Sequence, residues 1–123
     1  MFKLMQVAAY WWPVTVKRPS ETTPGELEEC TLRVKYRYLK VDQHNALIEE
    51  LTAQKEAGSP IDDAQFARRV VLDVADVVDE QDQAVAFSPE LLDQLLNEPG
   101  EVMLATAITK GYFDSRMGVL EKN

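Results

Sequence analysis

The sequence predicts an α+β domain: an N-terminal antiparallel β-hairpin or small sheet packed on a C-terminal set of about four helices. Three observations carry that prediction. Apolar residues alternate with polar ones over 14–17 and 30–38, the period of a strand with one buried face. Beyond residue 41 they recur three and four apart, the period of an amphipathic helix. Charge divides at the same place: residues 1–40 hold seven basic and four acidic side chains (+3), and residues 41–123 hold six and seventeen (−11). With 123 residues, 46% of them hydrophobic, the chain suits one ordinary domain. It divides into a strand region over 1–40, a helical region over 41–117 and a disordered tail over 118–123.

The first strand is expected near 13–18. Tyr10, Trp12, Val14 and Val16 share one parity, and Pro13 removes a backbone donor, which suits an edge strand or a start at Val14. Pro19 to Gly25 reads as a loop. The second strand, near 28–38, has the cleanest alternation: Cys30, Leu32, Val34, Tyr36 and Tyr38 against Thr31, Arg33, Lys35 and Arg37. Asp42 is the expected cap of a helix near 42–57, with Leu47, Ile48 and Leu51 on its apolar stripe and His44 at the rim. Asp62 with Gln65 resembles a capping box, and Ile61 with Phe66 a hydrophobic staple, opening a helix near 62–75. The five valines Val70, Val71, Val74, Val77 and Val78 weaken helix propensity toward and past its far end, which favours extended chain there. Ser88, Pro89 and Glu90 mark the start of a helix near 88–97. The last helix, near 101–115, carries Leu104, Ile108 and Tyr112 on one face and Val102 and Phe113 on the opposite one.

Composition excludes several functions. A net charge of −8 argues against binding nucleic acid or anionic lipid. One cysteine and one histidine rule out disulfide frameworks, multi-cysteine zinc sites and paired-histidine metal motifs. The acids between Asp73 and Asp82 lack the spacing and the glycine of a calcium loop. No nucleophile elbow, phosphate loop or zinc-protease motif is visible, so the expectation is a non-enzyme with no cofactor. The apolar stretch from Leu4 to Trp12 is too short to span a bilayer, and a cytoplasmic protein is expected.

Function then falls to surfaces. Trp11 points away from the face that Trp12 shares with the core, which makes it a contact candidate. The last helix is apolar on two sides, so it is either central, with Val102 and Phe113 packed in the core, or it exposes that side as a contact surface, and Met117 extends it. The stripe Arg33, Lys35, Arg37 either blunts edge pairing or docks an acidic surface, such as the acidic half of another copy.

The order of three segments resembles the tail assembly chaperones of long-tailed bacteriophages and prophages. These are Trp12-Pro13-Val14-Thr15-Val16 leading to Pro19; Cys30 to Leu39 with its basic alternation; and Val77-Val78-Asp79-Glu80 followed by Ala84-Val85-Ala86-Phe87-Ser88-Pro89-Glu90-Leu91-Leu92. The likeness covers most of residues 10–112. It departs at Val74-Ala75, where the family often has tryptophan, and at Gln81 to Gln83, where it often has glycine. The resemblance implies a chaperone that coats and solubilises the tape measure protein and helps recruit tail tube subunits in the host cytoplasm, with self-association along the target. It further implies a programmed −1 frameshift late in the gene; Glu121-Lys122-Asn123 is compatible with a slippery A-rich codon run. From another class, an acidic regulatory module could block a basic, nucleic-acid-binding partner by charge mimicry.

Overall fold

The computed structural model describes residues 1–2, 4, 8–58, 63–97 and 102–117, with the backbone alone at Val102. The elements are β1 (Ala9–Pro19), β2 (Leu27–Arg37), α1 (Val41–Glu56), α2 (Asp63–Val70), β3 (Val71–Ala75), α3 (Pro89–Asn97) and α4 (Val102–Met117). The chain is α+β, with a three-stranded antiparallel sheet ordered β1-β2-β3 and helices against one face. The expected capping box and staple around 61–62 and the tail 118–123 lie outside the described residues.

The hairpin follows the period-two pattern. Val14, Val16, Leu32, Val34 and Tyr36 are buried, while Thr15, Lys17, Thr31, Arg33 and Arg37 are exposed. Val14 lies opposite Leu32 and Trp12 opposite Val34. Just before β1, the Tyr38 N–H donates to the Ala8 carbonyl (2.8 Å); past its other end the Ser20 N–H donates to the Glu26 carbonyl (2.9 Å). In an antiparallel ladder this parity continues, so even-numbered residues of β1 bond β2 and odd-numbered ones face the open edge. Pro13 is odd-numbered, and its missing donor falls on the side where no strand pairs.

One expected element is corrected. The helix near 62–75 ends at Val70, and Val71–Ala75 becomes a third strand on the far side of β2. β-branched residues lose little in extended chain, and pairing with β2 buries Val71 and Val74 beside Tyr36 and Val34. Leu72 is the unmatched residue of a bulge opposite Lys35/Tyr36. The acidic stretch that follows is a small hairpin. Val78 bridges Ala84, and the Asp79 carboxylate accepts the backbone N–H groups of Gln81 (2.8 Å) and Gln83 (3.0 Å). Asp82 takes the left-handed conformation there, with φ 60°, a role that aspartate fills more readily than most residues.

Helix starts follow local chemistry, with one shift. α1 begins at Val41 rather than behind an Asp42 cap, because the Gln43 side-chain oxygen accepts the Lys40 N–H (3.0 Å). At α3, Ser88 Oγ accepts the Leu91 N–H (3.0 Å), as expected of an N-cap.

Helix α4 lies across the inner face of the sheet, and α2 and α3 pack on α4. Leu104, Ile108 and Tyr112, spaced four apart on one side of α4, are all buried. The crossing is closest at Gly111. A methyl group there would sit 2.7 Å from the Tyr36 hydroxyl and 3.3 Å from Val14 Cγ2. That hydroxyl donates to the Ile108 carbonyl at 2.6 Å, tying the centre of β2 to α4.

Candidate interaction surface

The outer face of the sheet turns away from α4. Trp11 stands on it, 41% exposed, opposite Lys35, while Trp12 packs against the core. The Arg33 guanidinium lies 5.4 Å and the Lys35 ammonium 5.8 Å from the Trp11 ring centre. Cations over an indole fix the ring and leave its remaining area available for contact.

The basic stripe is neutralised in part by the third strand. Arg33 donates twice to the Asp76 carboxylate (2.8 and 3.3 Å), which raises the Arg33 pKa through that hydrogen bond and the attached charge. Lys35 lies opposite Asp73 in the register. Arg37 Nε donates to the Arg69 carbonyl (3.2 Å). Periodicity predicts the stripe but not these acids, because their placement depends on β3.

The other expected contact residues separate. Met117 is 74% exposed at the end of α4. Phe113 is half-buried at the margin of an aromatic cluster, stacked on Phe66 with ring centres 5.4 Å apart and edge-on to Tyr112 at 5.4 Å. Helix α2 packs on this second side of α4, so Phe113 shares in core packing and keeps part of its ring exposed. The Val102 side chain lies outside the described residues.

His44 closes the cluster. Its Nδ1 is 2.9 Å from the Tyr112 hydroxyl and its ring stacks at 5.7 Å. Desolvation, then the Arg116 charge, lowers its pKa from the ordinary 6.5. Burial raises the Tyr36, Tyr112 and Tyr10 phenols. Among the described residues, no group of three or more His, Cys, Asp or Glu is placed to hold a metal ion.

A second feature, which sequence reasoning missed, is an open cleft of about 980 Å³ at the end of the sheet where β1 begins and β2 ends. Tyr10, Trp11, Trp12 and Tyr38 give it aromatic walls, and Arg37, Lys40 and Arg116 bring cations. Arg116 is fixed by a 2.6 Å hydrogen bond to the Leu39 carbonyl and lies 5.1 Å over the Tyr38 ring. Tyr10 and Ser115 bond across the wall at 2.6 Å. No aspartate or glutamate lines the cleft among the described residues.

No family model matches the chain, and no curated protein or solved structure matches it. No helix among the described residues is long and apolar enough to cross a membrane.

Proposed function

We propose that the protein is a tail assembly chaperone of a long-tailed phage or prophage, which coats the tape measure protein, keeps it soluble and helps recruit tail tube subunits. The observation that carries this reading is Trp11, a part-exposed indole held by Arg33 and Lys35 on the sheet face that turns away from α4. Such a surface supplies apolar area for one side of a long amphipathic helix, and flanking cations for the acids along that side. The segment order that resembles the family supports the same role, and an acidic exterior would keep a coated complex soluble. The role calls for no catalytic group and no cofactor. It also supports action in the host cytoplasm, where tails assemble.

The test is co-expression with the long helical reading frame that should lie downstream of this gene. Wild-type protein should raise the soluble fraction of that product several-fold and co-purify with it. Trp11→Ala, with unchanged circular dichroism, should lose most of the effect. A product that stays equally insoluble with and without the wild-type chain overturns the reading. A complex that dissolves in 1 M salt, with Trp11→Ala behaving as wild type, would favour charge mimicry instead.

A further inference from the structure

Apart from any partner surface, the helices are not attached alike. Helix α2 buries three of its eight residues and α3 three of its nine, whereas α1, with sixteen, buries Leu47 alone. Helix α4 runs close along β1, α2 and α3, while α1 runs close along none of the other elements. An open gap of about 300 Å³ lies between α1 and α2, with Leu51 and Gln54 on one wall and Phe66 and Arg68 on the other. Two ties cross to α1. The His44 ring stacks on Tyr112 and meets Phe113 edge-on, with ring centres 6.0 Å apart. The Arg69 guanidinium donates to both Glu50 carboxylate oxygens at 3.1 Å, in a pair half exposed to water. Both ends of α1 suit a hinge. Arg116 pins the Leu39 carbonyl just ahead of Lys40, whose backbone is extended, and Gly58 takes the left-handed conformation, φ 88°, just past the C-terminal end.

We propose that α1 is a strap that opens on its own, swinging on Lys40 to uncover an aromatic seat of Phe66, Tyr112 and Phe113, while the sheet, α2, α3 and α4 stay folded. Burial sets the balance. Lifting α1 exposes one buried leucine and the half-buried His44, Ile48 and Leu51, far less apolar surface than global unfolding exposes. The ionic tie adds little resistance, because water screens a half-exposed pair. A helix of this length is marginal in water without its seat, so a lifted α1 frays and its amides exchange. Helix α4 need not follow, since the Tyr36 hydroxyl holds the Ile108 carbonyl from the other side. In the closed form Phe66 and Tyr112 are fully buried. Opening therefore turns a polar flank of the domain into an aromatic one, with the Arg69 guanidinium released beside it.

Native-state hydrogen exchange on the full chain, corrected for intrinsic rates, tests this. Amides over 47–55 should exchange roughly ten times faster than those over 106–113, or more. Glu50→Gln should speed exchange in α1 about two- to fivefold and leave α4 unchanged. Leu47→Ala should speed α1 by roughly tenfold or more, again without change in α4, and should brighten an apolar fluorescent dye as the seat is uncovered. Exchange of α1 and α4 at one common rate overturns the proposal. So does a Leu47→Ala chain that speeds both helices equally, or one that frees α1 with no gain in dye fluorescence. Should Leu47→Ala fail to fold, Glu50→Gln decides: an effect confined to α1 sustains the strap, and an equal effect on α4, or none on α1, overturns it. Neither residue lies on the Trp11 surface, and no tape measure protein enters the assay, so the two readings stand or fall separately.

Discussion

The two faces of the sheet are built from the same two strands by the same alternation, yet they differ in kind. The inner face is closed. Tyr36 is fully buried, its hydroxyl is bonded to α4, and Gly111 leaves no room for a methyl group. The outer face is open and held by exposed pairs: Thr15 with Thr31 at 2.8 Å, and Arg33 with Asp76 at 2.8 Å. Packing sets the inner face, where each atom has neighbours on every side. On the outer face water screens the charges, and side chains are available for other roles.

The sharpest way to break the contrast is Gly111→Ala. The new methyl group must displace the Tyr36 hydroxyl or part α4 from Val14, an overpacking cost of about 1–3 kcal/mol, partly offset by alanine's better helix propensity of about 1 kcal/mol. A lowered chemical-denaturation midpoint is expected; unchanged stability would mean that α4 does not press on the sheet there. On the outer face, Arg33→Ala should leave the denaturation midpoint close to that of wild type, since its ion pair is half exposed and screened by water. A marked loss in the same denaturation experiment would show that the outer face carries structural weight.

The smallest effect concerns His44, at the margin between interior and water. Its folded pKa lies below its ordinary 6.5, so the folded state favours the neutral ring. The stabilisation is therefore complete above about pH 6.5 and is lost as pH falls through the folded value. Titration of the His44 ring by NMR should give a midpoint below 6.5, and His44→Gln should flatten the acid limb of the stability curve. A midpoint above 6.5 would place a stabilising carboxylate near the ring.

The sequence reading was strongest where the pattern is local. The alternation through Leu32, Val34 and Tyr36 set the inner face, and the Ser88-Pro89 start of α3 stood one turn ahead of its buried leucines. It was weaker at Val70-Val71, because a valine run suits helix and strand equally until β2 is seen to have a free side. Gly111 left a signal that went unused: a glycine inside an otherwise regular helix costs stability and invites a packing reason. The cleft was hidden for another reason. Arg116 and Leu39, which meet in its wall, are 77 positions apart, and no periodicity joins them. Trp11 was legible as a contact candidate through its parity alone. For Phe113 the sequence left core packing and partner contact both open, since its partial cover comes from Phe66 on another helix.

Pro13 has a consequence for a protein made in many copies. β1 is eleven residues long and carries two tryptophans and two valines, the composition of a segment that recruits its own kind into stacked sheets. An approaching strand would look for a donor in the middle of that edge and find a pyrrolidine ring instead. The ring breaks the backbone ladder that would turn crowding into irreversible aggregation. Copies that meet must then do so through side chains, in contacts that salt and competing partners can undo.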